Sequence, residues 1–160
     1  MLRMPVLAAA AVAATGLAGG IALSQTPAAP ATAARAEIER ALGQVPGMFR
    51  YFPDAGIPGA WAEFRDLQLG QTVLPGKVKE LIGLAVAAQV PCAYCVYFHT
   101  RAARLNGATD EEIREAVGMA AVTRHWSTVL NGSAQSFEEF RTEADAIFAR
   151  AEAAAAQARR

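Results

Sequence analysis

Helical spacing dominates this chain of 160 residues: apolar side chains recur three and four positions apart, and no segment alternates with the period of two that a half-buried strand shows. Hydrophobic residues make up 53% of the chain, but many of them are alanine, which favours helix more than it favours lipid. No internal repeat is present in the sequence. These features predict an all-α fold.

Glycine, proline and capping residues mark where the helices begin and end. Helices are predicted at residues 36–42, 58–70, 77–90, 92–106, 109–130 and 137–151. Thr109 and Glu112 form a capping box, which satisfies backbone amides at the start of a helix. Residues 45–53 are aromatic and rich in turn formers, so we expect them to pack as a lid over the helices. Helix 77–90 has little polar surface and is expected to be the buried centre.

Residues 1–24 have the pattern of a secretory signal. Arg3 gives a positive start, residues 6–23 carry no charge, and small residues precede a cleavage point before Gln25. A retained transmembrane anchor is the alternative, although Ala and Gly make this run only weakly apolar. We therefore expect a bacterial protein that is periplasmic or secreted, with the membrane as a partner only if the signal is not cleaved.

Composition limits the folded domain and its partners. Residues 25–34 place two prolines among Ala and Thr, which indicates a low-complexity linker and a folded domain over residues 35–160. The 15 basic and 15 acidic side chains balance to zero, so the chain lacks the positive charge of a nucleic-acid-binding protein. Two cysteines, Cys92 and Cys95, are too few and too close to staple distant loops together.

Three chemically reactive side chains are predicted to share one face of a helix. At about 100° per residue, Cys92, Cys95 and His99 fall within an arc of about 60°. Cysteines three positions apart have Cα atoms about 5 Å from each other, so a disulfide between them can open and close within the fold. Unpaired amides in a first helical turn favour a thiolate over a thiol, and His99 is placed to accept or return a proton.

Glu80 joins this group by geometry. If the chain reverses direction near Val90 and Pro91, Glu80 and His99 come to similar heights on two antiparallel helices. A carboxylate beside an imidazole fixes its tautomer and raises its basicity, as a proton relay to a thiol requires. This chemistry calls for neither a cofactor nor a metal.

Each of these residues also has a simpler interpretation. The cysteine pair could be a structural disulfide, although a loop of two residues removes little entropy from the unfolded chain. Cys92, Cys95, His99 and Glu80 could bind zinc, but a second cysteine-containing ligand pair is absent from the sequence. Glu80 could equally be a solvated neighbour of Lys77. Three further residues are interpreted as packing or pocket-wall residues: His125 beside Trp126, Tyr94 and Tyr97.

The pattern of Glu80, eleven residues, Cys92, two residues, Cys95, three residues and His99 resembles the signature of alkylhydroperoxidase D-like (AhpD-like) proteins in the carboxymuconolactone decarboxylase superfamily. Residues 45–49 look like the family's opening segment, residues 74–77 like the start of its central helix, and residues 106–109 like the turn after the motif helix. The resemblance covers about residues 43–131.

The resemblance implies an all-α fold with the redox site on a helical hairpin, assembled as a homo-oligomer of three or a multiple of three. It also implies a thiol-dependent peroxidase, of the alkylhydroperoxidase or peroxiredoxin type, or a disulfide reductase. Its substrate would be a hydroperoxide or disulfide, and a partner protein or thiol would supply electrons. Cys95 is the nucleophile by resemblance, whereas the helix-terminus argument gives Cys92 the lower pKa.

Two other functions stay open. Family members without the cysteine pair include lactone decarboxylases, so Glu80 and His99 could transfer protons in a decarboxylase or isomerase acting on a cyclic lactone. A helical assembly module without catalytic activity is the third interpretation. The leading prediction is an exported thiol oxidoreductase with Glu80, Cys92, Cys95 and His99 as its catalytic residues.

Overall fold

A computed structural model of the protein describes residues 28–159, where every regular element is a helix and no strand occurs. The predicted all-α fold is confirmed. The helices are α1 (Ala28–Leu42), α2 (Gly47–Arg50), α3 (Ile57–Glu63), α4 (Gly76–Gln89), α5 (Ala93–Leu105), α6 (Asp110–Gly132) and α7 (Phe137–Ala158). The predicted signal, residues 1–24, lies outside the described residues. The chain forms two compact units, one ending at Trp61 and the other beginning at Ala62.

Helix α1 begins earlier than the sequence suggested. Residues 28–34, assigned to a linker, are helical, and Ala31, Ala34 and Ile38 form a buried stripe along α1. Alanine is the strongest helix former, and Pro30 lies in the first turn, where its missing N–H leaves no intrahelical bond unmade. The predicted linker and the domain start at residue 35 were therefore wrong over this stretch.

Aromatic packing and an ion pair contribute to the rest of the N-terminal unit. Residues 45–53, interpreted as a lid, contain the single turn α2. Within this unit Phe49 packs edge-on against Trp61 at a centroid distance of 5.9 Å, and both side chains are buried. Arg35 and Asp54 pair at 2.7 Å.

In the second unit, α4 packs against both α5 and α6. Its face with Glu80, Leu84 and Ala87 is buried, whereas Ile82 and Val86 are about half exposed, so the prediction of a buried central helix holds for one face only. Leu84 joins three residues of the later helices and their connection in the core: Ala103, Ala108 and Ile113. This packing fixes the relative position of α4 and α5.

Helix α6 is tied to α4 at both ends of their contact. Thr109 and Glu112 form the predicted capping box, and Glu112 also accepts a 2.7 Å hydrogen bond from Lys77 Nζ. These contacts hold the pKa of Glu112 below its usual value, chiefly through Lys77 and next through the Thr109 amide. Farther along α4, the Gln89 side-chain amide donates to the Ala120 carbonyl at 2.9 Å.

The second half of α6 and the whole of α7 leave large apolar side chains exposed. Trp126 on α6 is 57% exposed, and Phe137, Ile147 and Phe148 on α7 are each at least 65% exposed. None of the helices within residues 28–159 combines the length and the hydropathy needed to cross a membrane.

Candidate functional site

A tight connection between α4 and α5 presents the cysteine motif. Helix α4 ends at Gln89, and Cys92 already occupies the N-cap position of α5. The backbone N–H of Cys92 donates to the Ala87 carbonyl at 3.1 Å, which anchors the start of α5 against the last turn of α4. Pro91 lies in this connection, where a proline breaks the helical path.

Cys92 and Cys95 form a disulfide, with Cα atoms 5.2 Å apart, and both are partly exposed. The Cys95 amide N–H points at Cys92 Sγ, 3.2 Å away. An N–H directed at a sulfur at a helix N-terminus stabilises negative charge on that sulfur.

The Glu80 carboxylate faces the His99 imidazole across the contact between α4 and α5. His99 Nδ1 lies 2.7 Å from Glu80 Oε2, and Glu80 is only 3% exposed. Because an ionised carboxylate only accepts hydrogen bonds, pairing with ionised Glu80 requires the proton on Nδ1 and leaves Nε2 to exchange one. Lys77, the other neighbour considered for Glu80, pairs with Glu112 instead.

Gly83, which sequence reasoning missed, makes room for His99. A Cβ placed on Gly83 would overlap the imidazole and would lie 2.8 Å from Nε2. Gly83 is three positions after Glu80 and therefore on the same side of α4. A glycine inside a helix destabilises it by about 1 kcal/mol relative to alanine. An interior glycine in α4 was therefore the sequence signal that another side chain packs closely against this position.

His99 borders a hollow of about 510 Å³, here called the His99 hollow. It is lined by Leu67, Gln68, Thr72, Val73, Leu74, Lys79, Ile82, Gly83 and His99. One wall is a π-helical turn, Phe64–Leu69, a geometry that is frequent at functional sites. Lys79 Nζ closes the end of this turn by donating to the Leu67 and Gly70 carbonyls, both at 2.7 Å.

A second hollow, of about 610 Å³, lies over Cys92 and is here called the Cys92 hollow. It is lined by Ala87, Ala88, Pro91, Cys92, Ala93, Val96, Tyr97, Thr100, Arg101 and Arg104. Its α5 residues form a stripe that does not include His99, so the two hollows use different sides of α5. Around the helix, Cys92 lies about 20° and Cys95 about 40° from His99, and Cys95 is the nearer of the two along the helix axis.

The remaining residues singled out in the sequence are spread over the second unit. Tyr97 lines the Cys92 hollow, whereas Tyr94 is 89% exposed and lines neither hollow. His125 packs edge-on against Trp126 with centroids 5.0 Å apart. Within residues 28–159, no group of three or more His, Cys, Asp or Glu side chains is placed to hold a metal ion.

Comparison with known proteins agrees with this architecture. Residues 56–136 match the carboxymuconolactone decarboxylase family, and the chain belongs to that family. The crystal structure of an alkylhydroperoxidase AhpD core from Rhodospirillum rubrum superposes with a TM-score of 0.57 at 22% identity, covering 70% of this chain and 86% of the other. The predicted AhpD-like fold and the family resemblance are confirmed.

Two curated relatives share a shorter stretch. Uncharacterized protein 4 in the cox locus of Paracoccus denitrificans is 36% identical over 70 residues, which are 44% of this chain and 63% of that protein. An uncharacterized protein of Cupriavidus necator is 38% identical over 65 residues, which are 39% of this chain and 58% of that protein. The chain thus spans about six-tenths of the length of these relatives.

Proposed function

We propose that this protein is a thiol-dependent oxidoreductase that reduces hydroperoxides or disulfides through Cys92 and Cys95. The observation that carries the proposal is a partly exposed disulfide at the start of α5, one helical turn from the buried Glu80–His99 pair. A bond enclosing only two residues adds little stability, so redox exchange is the better reason for having it. The family includes enzymes with such chemistry.

Peroxide reduction would begin with the two cysteines reduced. One thiolate attacks the terminal oxygen of ROOH, the O–O bond breaks, and the sulfur becomes a sulfenic acid while RO⁻ takes a proton and leaves as alcohol. The second thiolate attacks the sulfenic sulfur, forms the Cys92–Cys95 disulfide and releases water after proton transfer. Two electrons from an external thiol or reductant protein restore the dithiol. The scheme uses no cofactor and no metal.

His99 and Glu80 would serve proton transfer in these steps. Nε2 of His99 is the free nitrogen, so it can accept the proton of a cysteine thiol and return it to the alkoxide. The buried Glu80 carboxylate stabilises the imidazolium that forms and holds the ring in place. The apolar walls of the His99 hollow, among them Leu67, Leu74 and Ile82, suit the organic part of a hydroperoxide.

A second candidate function uses the Glu80–His99 pair and does not use the cysteines. The His99 hollow has no cysteine among its lining residues, which suits proton transfer on a cyclic lactone by a decarboxylase or isomerase. An assembly module without catalysis is the remaining alternative. Both would leave thiol exchange at Cys92 and Cys95 without a role.

We further propose that the protein acts as a homo-oligomer, a trimer or a multiple of three, in the bacterial periplasm or outside the cell. The uncovered apolar side chains of α6 and α7 support self-association. Export rests on residues 1–24, which lie outside the described residues. Mass spectrometry of the native protein tests it: a mature chain beginning near Gln25 is expected, and an intact Met1 in the membrane fraction would overturn it.

The activity is tested by thiol-dependent consumption of cumene hydroperoxide, measured together with the midpoint potential of the purified dithiol. We expect turnover with dithiothreitol as the reductant and a potential less negative than about −300 mV, above the range of structural disulfides. Cys92→Ser and Cys95→Ser should each stop multiple turnover. Absence of peroxide consumption together with absence of thiol exchange would favour the lactone or assembly functions.

A further inference from the structure

The Cys92 hollow combines an apolar floor, a reactive sulfur and a positive rim. Ala88 and Val96 contribute to the floor, Cys92 lies at one end, and Arg101 and Arg104 supply the positive charge. A volume of about 610 Å³ falls within the range of pockets that bind small molecules. Apart from Cys92, none of the residues that line the hollow takes part in the peroxide reduction proposed for this protein.

The two arginines differ in how their charge is balanced. Arg104 is neutralised by Asp110, with Nη2 and Nε 2.9 and 3.0 Å from the same carboxylate oxygen. Arg101 contacts Tyr97 instead: Nη1 donates to the hydroxyl at 3.4 Å, and the guanidinium lies 6.0 Å from the ring centre. Within the described part of the chain no carboxylate pairs with Arg101, so its charge is available to a ligand.

The side chain of Arg101 is directed along α5 toward the disulfide. Tyr97, its partner, is one helical turn nearer to Cys92, and both residues line the Cys92 hollow. Arg101 is nine positions after Cys92, a rise of about 13 Å along the helix axis, and the long arginine side chain shortens that gap. Cys92 and Arg101 thus lie at two ends of the same hollow, which offers a small molecule both a sulfur and a positive group.

We propose that the Cys92 hollow binds a small thiol that carries a carboxylate, and that this thiol reduces the Cys92–Cys95 disulfide. The proposal rests on the proposed function and specifies its electron donor. Arg101 would bind the carboxylate through a charge-assisted hydrogen bond, while the apolar floor holds the carbon chain. The His99 hollow is then left for the hydroperoxide, and the two sides of α5 serve the two half-reactions.

Two small thiols would reduce the protein disulfide in two exchange steps. The thiolate of the small molecule attacks Cys92 Sγ, the Cys92–Cys95 bond breaks, and the electron pair leaves on Cys95, which takes up a proton on the side nearer His99. A second small thiolate attacks the outer sulfur of the mixed disulfide and releases Cys92. Two small thiols are oxidised to one disulfide, and the protein disulfide is reduced to two thiols.

The rate of disulfide reduction by 3-mercaptopropionate and by 2-mercaptoethanol tests the proposal on the full chain. Each rate is divided by the thiolate concentration and then by the rate of the same thiolate with hydroxyethyl disulfide, which removes the difference in intrinsic nucleophilicity between the two reagents. We expect the anionic thiol to react about three- to tenfold faster at low salt, and added salt should reduce this preference. Arg101→Gln should abolish the preference, and Arg101→Lys should retain part of it.

Arg114→Gln is the matched control, because Arg114 is exposed on α6, pairs with Glu111 and lines neither hollow. The Arg114→Gln variant should show the same preference for 3-mercaptopropionate over 2-mercaptoethanol as the unmodified protein. Equal rates with both thiols, or an Arg101→Gln variant that keeps the preference, would overturn the anion site while leaving the proposed function intact. Failure of both thiols to reduce the disulfide would instead overturn the proposed function.

A second measurement identifies the sulfur that faces the small molecule. In Cys95→Ser, the remaining Cys92 thiolate should form a mixed disulfide with dithiodipropionate faster than with hydroxyethyl disulfide. Cys92→Ser, in which Cys95 remains, should show no such preference, because Cys95 is not among the residues that line the Cys92 hollow. The opposite pattern would place the anion site beside Cys95 and contradict the proposal.

Discussion

The Nδ1 atom of His99 lies 2.7 Å from Oε2 of Glu80, and the two residues come from different helices, 19 positions apart in the chain. Glu80 is almost fully buried, so its carboxylate depends on this contact for compensation of its charge. A buried carboxylate that holds an imidazole one turn from a disulfide is the arrangement from which the proposed proton transfer follows.

Replacing Glu80 or His99 should slow thiolate formation. Glu80→Gln and His99→Ala are each expected to lower the rate of thiol alkylation near neutral pH by about 10²–10⁴, the range for acid–base groups, and to shift its pH profile. The double variant should lose less than the product of the single effects, because both residues act through one path.

Two matched variants control for general effects of these substitutions. Glu111→Gln removes an exposed carboxylate, and His125→Ala removes an exposed imidazole, neither of which lines a hollow. Both should keep the alkylation rate. Unchanged rates and pH profiles in Glu80→Gln and His99→Ala would rule out the relay.

Removing either cysteine should stop turnover without unfolding the protein. Cys92→Ser and Cys95→Ser are each expected to abolish multiple-turnover peroxide reduction, because attack and resolution need different sulfurs. Urea denaturation should show little change in the free energy of unfolding, since the loop between the cysteines has only two residues. A large loss of stability would indicate a structural disulfide.

Gly83→Ala should lower activity by crowding the His99 ring. The new Cβ would overlap the His99 ring, so we expect the imidazole to move from Glu80 and peroxide reduction to fall by at least about tenfold. Gly118→Ala is the control, because a Cβ on Gly118 meets no atom within 4 Å. It should raise stability by about 0.5–1 kcal/mol through helix propensity and leave the activity unchanged. Equal activity in the two variants would contradict a close-packing role for Gly83.

Glu112 should make stability depend on pH in the acidic range. Its pKa is lowered in the folded state, chiefly by Lys77, so its contribution is present above the unfolded pKa and is lost as the pH falls through the folded pKa. Glu112→Gln should therefore be less stable than the unmodified protein at pH 7, with the difference shrinking toward pH 3, as measured by urea denaturation. Glu115→Gln, on the exposed side of the same helix, should show no such trend.

The uncovered apolar side chains of α7 should mediate self-association. Light scattering is expected to give a trimer or a multiple of three at micromolar concentration, and Phe148→Glu should shift the protein toward smaller species. Arg150→Gln changes a polar position of the same helix and should leave the size unchanged. A stable monomer of the unmodified protein would contradict the assembly proposed here.

Most of the helices could be predicted from the sequence because local interactions define where they begin and end. Thr109 and Glu112 cap α6 through contacts within one turn, and Gly107, with φ of +83°, follows the end of α5 in a conformation that favours glycine. The positions of Cys92 and His99 on or beside one helix likewise follow from sequence spacing alone. The start of α1 was missed because the composition of residues 28–34 suits both a linker and an alanine-rich helix.

Tertiary packing decided the partners of these residues. The sequence allowed Glu80 to pair with Lys77 or with His99, and only the contact between α4 and α5 selects His99. The same contact explains Gly83, and the His99 hollow brings residues 67–74 beside His99, which lies at least 25 positions later in the chain. Helix periodicity fixes which way a side chain points, but the neighbour it meets is set by long-range packing, which no short stretch of sequence encodes.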